Sequence, residues 1–570
     1  MRAPNRRSGG RLLVDQLRVH GTTHAWCVPG ESYLAVLDAL HDADIALTVC
    51  RQEGGAAMMA EAHGKLTGAP GICLVTRGPG ATNASPGLHV ARQDSTPLIL
   101  FIGQVRRDTR EREGFQELDY RQTFGSLAKW VTEIDDTARI PELVSRAFHI
   151  ATNGRPGPVV VALPEDVLSD TSEAPDARPY AVAEPAPSAA DLIAVENLLR
   201  EARRPLLVAG GSRWTTDAVD DLVRLSETLA LPVATSFRRQ TLFPVSHPNF
   251  AGELGVACEP SLARFAREAD LLLLVGGRLA EMPSQGWTLL DIPSPRQKLV
   301  HVHPGAEELG RVYRADVAIN TSPGAFLAPL AHGASRDVSY LDPVEGWGER
   351  TRERHAERCR WSAVPAPSGD EPRGGGGVDL AQVVAEVARC SPPQTLIANG
   401  AGNYATWVHR FYPFERLGTQ LAPTSGSMGY GVPAAIAAAR LDPSRPVVAF
   451  AGDGCFLMNG QEFATAVQYA LPVIVIVADN GMYGTIRMHQ ERHYPGRVSG
   501  TELRNPDFAA YAAAFGGYGE RVETTADFAP AFARARASGK PAILHCLLDP
   551  DAITVGGSLR AIRERATNGD

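Results

Sequence analysis

The chain has 570 residues, 44% of them apolar and 21% charged, with a net charge of −8. That length exceeds a single core and implies two to four domains. Charge spread along the chain argues against a nucleic-acid binder, and apolar runs such as 271–275 are strand-sized, too short to cross a membrane.

The basic start, Met1 to Gly10, lacks an apolar stretch behind it and reads as a frayed terminus. Strands are predicted at 25–28, 45–49, 71–76, 98–102 and 158–163, with helices at 33–40, 54–66 and 140–151. Short apolar runs alternating with helices indicate a mostly parallel sheet covered on both faces. Residues 169–189 are polar and Pro-rich and read as a linker. A second α/β unit follows, with a helix at 190–202 and strands at 205–209, 231–235, 271–275 and 298–302. A second linker contains Pro365, Pro367 and the run Gly374 to Gly377. Beyond it, helix 380–388 and strand 395–398 open a third unit. The expected organisation is three doubly wound α/β domains, 1–168, 190–355 and 379–570, with linkers at 169–189 and 356–378. Eight cysteines occur singly; Cys27, Cys50 and Cys73 suit core positions, and a reduced, cytoplasmic protein is expected.

The chemistry concentrates in the third unit. Gly452-Asp453-Gly454 follows the apolar run 447–450, and Asn480 ends the run 473–478, twenty-seven residues after Asp453. Strand, acidic turn, helix, strand and amide place two hard oxygen ligands at neighbouring strand ends, where open α/β sheets bind ligands. Gly481-Met482-Tyr483-Gly484 adds a turn able to present a carbonyl, and the N–H groups of Asn459 and Gly460 are expected to face phosphate. Mg²⁺ suits such a donor set better than Zn²⁺. Alone, Gly-Asp-Gly is as readily a surface turn.

These residues resemble the thiamin-diphosphate and magnesium motif of the acetolactate synthase, benzaldehyde lyase and oxalyl-CoA decarboxylase superfamily. The resemblance extends to Val28-Pro29-Gly30, 51–56 (Arg-Gln-Glu-Gly-Gly-Ala), 78–83 (Gly-Pro-Gly-Ala-Thr-Asn), 154–158 and 426–431 (Gly-Ser-Met-Gly-Tyr-Gly). It implies a pyruvate oxidase/acetolactate synthase-like fold whose first domain holds the aminopyrimidine and whose third holds the diphosphate. It also implies a homodimer with shared active sites as the smallest active unit, with homotetramers frequent.

By the same resemblance Glu53 is the catalytic carboxylate that bonds the pyrimidine, and Met428 supports the bent cofactor. Asp453, Asn480 and the Met482 carbonyl are the metal ligands. Pro29, Gly426, Gly452, Gly454 and Tyr483 are cofactor contacts, and Asn403-Tyr404 stand where relatives commonly carry Gln-His. On residue type alone, Glu53 reads as a surface glutamate at a helix N-terminus and Met428 as core packing.

Substrate-side expectations are Phe115 and Gln116, with Gln116 in a catalytic role, and Lys129, which alternatively pairs with an acidic neighbour. His489 and Glu491 either relay protons or are polar lid residues. Arg77, Arg92 and Arg487 are unranked partners for a substrate carboxylate. In the central domain, Gly252-Glu253-Leu254-Gly255 and 235–239 depart from acetolactate synthase patterns, so FAD or ADP is an open expectation there. Arg238 and Arg239 suit phosphate or a solvated surface.

The function implied is decarboxylation of a 2-oxo acid with carboligation. The alternatives are a 2-hydroxyacyl-CoA lyase or oxalyl-CoA decarboxylase-like enzyme acting on an acyl-CoA, and a regulatory homologue retaining only the fold.

Overall fold

The computed structural model describes residues 6–332, 346–366 and 377–568. Each of its three α/β domains is built on a six-stranded, wholly parallel sheet. In the first, β1 (His24–Cys27), β2 (Ala46–Val49), β3 (Gly71–Val75), β4 (Leu98–Gln104), β5 (Trp130–Glu133) and β6 (Pro158–Pro164) are ordered β2-β1-β3-β4-β6-β5. The central domain carries β7 (Pro205–Ala209), β8 (Val233–Ser236), β9 (Phe250–Leu254), β10 (Leu271–Val275), β11 (Lys298–His303) and β12 (Val317–Asn320), ordered β9-β8-β7-β10-β11-β12. The third contains β13 (Leu396–Asn399), β14 (Gln420–Leu421), β15 (Val447–Gly452), β16 (Ile474–Asp479), β17 (Tyr518–Val522) and β18 (Ala542–Leu547), ordered β14-β13-β15-β16-β18-β17. The outer two domains therefore share one topology. The central one has the strand order of dinucleotide-binding sheets.

Central strands such as β4 and β6 are buried along their whole length, as expected of sheets covered on both faces. The outer domains meet through helices Glu53–Thr67 and Gly431–Leu441, whose Gly and Ala residues permit close approach. The first is capped by the Gln52 side chain, which accepts from Gly55 N, and ends at Gly68 in the left-handed region.

A buried polar knot joins all three domains. Asp94 accepts from Arg239 at 2.9 Å and from Thr424 N at 3.1 Å, with Lys65 Nζ at 3.4 Å. Glu61 accepts from Thr96 Oγ1 at 2.7 Å and Tyr430 OH at 2.6 Å and pairs with Lys65 at 3.1 Å. A buried charge is tolerated only with such satisfaction.

Two organisational expectations change. Residues 7–10 are not frayed: Arg7–Ser8 pair with Thr171–Ser172, and Ser8 caps helix Gly9–Val19, whose Gly9 and Gly10 are buried. Gly9 is fixed by contact, since a Cβ there would lie 2.1 Å from Val167 O. Helix Trp347–Trp361 also runs across the 355/356 position where the sequence suggests a linker begins.

Candidate functional site

Parallel register between β15 and β16 pairs Gly452 with Ala478, so Asp453 and Asn480 emerge side by side at the carboxyl ends. Asp453 opens a one-turn helix, Asp453–Phe456, rather than sitting in a turn. Neither Gly452 nor Gly454 has positive φ; glycine is required there by space. A Cβ on Gly454 would lie 2.6 Å from the Tyr483 ring, and one on Gly452 3.0 Å from the Tyr404 ring. Asp453, Asn480, Met482, Tyr483, Met428, Gly426, Gly452, Gly454, Asn403 and Tyr404 line one cavity of about 250 Å³.

Three residues that sequence reasoning missed organise this site. Asn505 Nδ2 donates at 2.8 Å to Asp453 Oδ2 and at 2.8 Å to Asp479 Oδ1. Asp479 also accepts from Gly481 N at 2.9 Å, and its Oδ2 lies 2.8 Å from His545 Nε2. Burial pushes the Asp453 carboxyl up to about 6, with the Asp479 charge adding to the shift. Burial also works to raise Asp479, but its bonds to His545, Gly481 and Asn505 hold it below the usual carboxylate range.

The donor set fits a hard divalent cation: one carboxylate, the Asn480 amide and the Met482 carbonyl, both left without hydrogen-bond partners among the described residues. No cluster of three or more His, Cys, Asp or Glu side chains among the described residues could hold a metal. Beside Met428, Gly426 has φ +68 and nothing within 4 Å of a Cβ position, which leaves an open wall for a planar ring.

Asn403 is largely engaged. Its amide donates to Ile553 O at 3.0 Å and accepts from Thr485 Oγ1 at 2.9 Å. Tyr404 OH accepts from Gly400 N at 2.9 Å. Asn459 and Gly460 do not face the cavity. Asn459 donates to Gly429 O at 3.0 Å, and the Phe456 ring fills the space over Gly460.

In the first domain, Glu53 begins its helix and accepts from Asn83 Nδ2 at 3.0 Å. The 78–80 turn links it to Gln116: a Cβ on Gly80 would lie 3.3 Å from Glu53 Oε1, and one on Gly78 2.7 Å from Gln116 Cβ. Phe115 is 72% exposed beside them, and Pro29 is exposed as well. None of these residues lines the Asp453 cavity.

Lys129 is half-buried, and the charge of Glu307 acts on it. Its Nζ donates to Asn153 O at 2.8 Å, and burial pulls its pKa down to about 8. Glu491 is buried. It is 1% exposed and fully paired, with Arg563 at 2.8 and 2.6 Å, Arg487 at 3.1 Å and Gly496 N at 2.9 Å, and these bonds hold its carboxyl down at about 2. It anchors C-terminal helix Leu559–Asn568 to helix Gly484–His493, while His489 is exposed and stacks with His493. Arg487 is thereby occupied, as is Arg77, which bonds Glu165, Glu31 and Phe115 O.

A second cavity of about 560 Å³ lies where all three domains meet, with His89, Gln93 and Ser95 of the first domain on its lining, and shares Ala401, Gly402, Asn403, Gly426 and Thr485 with the first. Its central-domain wall is the crossing of two glycine turns after β7 and β10, where a Cβ on Gly211 would meet Gly276 O at 1.7 Å. Arg238 and Arg239 line it and are not surface residues. Arg238 is 5% exposed, and Arg239 bonds Gly211 O at 2.8 Å as well as Asp94.

Comparison with known proteins agrees with this architecture domain by domain. Residues 7–123 match the N-terminal TPP binding domain of thiamine pyrophosphate enzymes, 192–330 their central domain and 400–546 their C-terminal TPP binding domain. The acetolactate synthase large subunit of Parasynechococcus marenigrum is 32% identical over 91% of this chain and 84% of its own length. The probable acetolactate synthase large subunit of Methanocaldococcus jannaschii is 30% identical over 95% of this chain and 92% of its own. The large subunit from Corynebacterium glutamicum is 29% identical, covering 96% and 88%. With the match running through all three domains, the chain belongs to the thiamine pyrophosphate enzyme family and is of the acetolactate synthase large-subunit type.

Proposed function

We propose that the protein decarboxylates a 2-oxo acid and joins the retained fragment to a second carbonyl compound, as the names of its relatives suggest. The observation that carries this is the separation of two complementary half-sites. One is the Asp453–Asn480–Met482 cavity with Met428 on its wall; the other is Glu53 beside Gln116 on a different domain.

Thiamin diphosphate, when bound, supplies the nucleophilic carbon and electron sink for breaking a bond next to a carbonyl. Asp453, Asn480 and the Met482 carbonyl would hold Mg²⁺ against its diphosphate, with Asn505 fixing the Asp453 carboxylate. Met428 and Gly426 would support the ring system. Glu53 would hold a proton at its carboxylate against the pyrimidine, and Gln116 would donate a hydrogen bond to an oxyanion of the substrate. Asn403, tied to Ile553 and Thr485, keeps the C-terminal segment over the cavity and excludes water.

Because residues 1–168 contribute nothing to the Asp453 cavity, the complete site is read as two half-sites from two chains. Exposed Leu34 and Phe115 in the first domain and Leu457 and Met458 beside Asp453 support a homodimer that covers them. For the central domain a nucleotide is proposed, its diphosphate at the Gly211–Gly276 crossing near Arg239 and Arg278; a visible flavin spectrum of the purified protein separates FAD from ADP. No described helix is long and apolar enough to cross a membrane, and all eight cysteines are free, which supports a cytoplasmic location.

The test is release of carbon dioxide and formation of carboligation product from pyruvate and longer 2-oxo acids with Mg²⁺ and thiamin diphosphate. Glu53→Gln is expected to abolish most turnover while leaving the protein folded. Wild-type protein that binds the cofactor yet turns over no 2-oxo acid would refute the reading.

A further inference from the structure

Arg238 is the one feature of the larger cavity that the proposed reaction does not use. Its guanidinium is buried, and among the described residues its Nε has no partner and the one hydrogen bond from the group goes to the Pro423 carbonyl. The Phe237 ring lies 4.8 Å away and supplies an apolar face rather than a counter-charge. Among the described residues no carboxylate forms an ion pair with the guanidinium, although Asp94 and Glu253 act on it from farther away. Glu253 accepts from the Arg238 backbone N–H instead, and Asp94 is shared by Lys65, Arg239 and Thr424 N. Of its other titratable neighbours, burial keeps the Tyr404 phenol protonated, and His409 is buried and held neutral by that burial and by Arg238 itself, with its Nε2 on Asn399.

An unpaired buried charge costs several kcal/mol, and Arg238 also carries φ +59, an unfavourable backbone state for a side chain of its size. Both costs point to a ligand. Across the same cavity, on its third-domain side, Ser425 Oγ is buried without a partner among the described residues. The direction of the site follows from its neighbours. Arg239 reaches back to Gly211 and the central crevice, whereas Arg238 reaches Pro423, next to the 424–426 segment whose Gly426 borders the cofactor cavity.

We propose that Arg238, with Ser425, binds a substrate carboxylate that survives the reaction. In the proposed chemistry the bond from the carbonyl carbon to the departing carboxyl would break, with its electron pair left on the retained fragment and carbon dioxide released. A fork-shaped guanidinium clamped on that departing group would oppose its loss, so the group it holds is a different one. Two sources share this chemistry: the carboxylate of an acceptor 2-oxo acid, and the distal carboxylate of a dicarboxylic donor. A cavity of about 560 Å³ has room for either.

The inference rests on the thiamin-dependent reading, and the experiment keeps the two separable. In the kinetic arm, Arg238→Met is compared with wild type for decarboxylation of pyruvate and 2-oxoglutarate alone, then for carboligation onto a 2-oxo acid or a neutral aldehyde. A rise in KM of about tenfold or more for 2-oxoglutarate alone identifies the donor's distal carboxylate. The same rise for the 2-oxo acid acceptor, with the aldehyde unchanged, identifies the acceptor. Arg238→Lys should recover part of the effect, and thiamin diphosphate affinity should be unaltered, which shows that the variants fold. Equal loss for charged and neutral substrates, or no loss, overturns the proposal.

In the binding arm, calorimetry follows pyruvate and 2-oxoglutarate titrated into Glu53→Gln holoprotein, with and without Arg238→Met. Carboxylate binding that weakens about tenfold without Arg238 supports the proposal even if the wild type shows no turnover, in which case only the reaction reading fails. Carboxylate binding that is absent, or indifferent to Arg238, overturns the proposal and leaves the cofactor reading intact.

Discussion

Asn505 donates its amide to Asp453 at 2.8 Å, bringing a residue from beyond the helix Gly484–His493 to the carboxylate of the proposed metal site. The same nitrogen contacts Asp479, so one neutral amide stands between two acids that would otherwise repel. Asn505→Ala is expected to weaken Mg²⁺-dependent thiamin diphosphate binding by roughly 10–100-fold, the usual effect of losing a group that orients a metal ligand. Titration of cofactor binding against Mg²⁺ checks this. Unchanged affinity would show that Asp453 needs no such support.

The Glu491–Arg563 pair ties the C-terminal helix to the helix that follows the metal turn. Its carboxyl is held down at about 2, so its contribution is full above the ordinary carboxylate value and disappears as pH falls through 2. Glu491→Gln removes charge-assisted bonds worth about 1.5–3 kcal/mol. Faster amide exchange is expected in 484–493 and 559–568 at pH 7, with the difference between the proteins shrinking only in strong acid. Exchange that is unaltered in 559–568 would mean the apolar contacts of Met488, Ile553, Leu559 and Ile562 hold the helix alone.

Glu253 gives the opposite pH signature. Burial raises its carboxyl to about 7, so the folded protein keeps a proton that the unfolded chain has lost. Its contribution is full below the unfolded value and is lost as pH rises from there through about 7. Glu253→Gln mimics the protonated form and should raise the melting temperature at pH 8 while leaving it unchanged at pH 4. Parallel melting curves for the two proteins across that range would refute the assignment.

What the sequence discloses and what it hides differ for a physical reason. Strands such as Leu271–Val275 are legible because a strand buried on both faces must be continuously apolar. Asp453 and Asn480 are legible because each ends such a run. Asn505 and His545 are not, because they carry no local pattern: His545 reaches Asp479 only after β16 and β18 pair, and Asn505 only after the chain folds back so that Glu502 bridges to Met482. Arg238-Arg239 misleads for a related reason: adjacent arginines usually face water, but here Pro423 and His409, contributed by another domain, surround the first of them. Burial across a domain boundary leaves no trace in the residues that undergo it.

The two half-sites make a prediction that no single-chain active site shares. Glu53→Gln disables the first-domain half, and Asp453→Ala disables the third-domain half. Each variant alone should be inactive. If sites form across chains, a mixed dimer has one site carrying both substitutions and one carrying neither. Unfolding and refolding the two variants together in equal amounts makes half the dimers mixed, each with one intact site, so about a quarter of wild-type activity should return. If Glu53 and Asp453 of the same chain served one site, every site in the mixture would carry a defect and no activity would appear. Activity per mole, plotted against the ratio of the two variants, should peak at equal amounts.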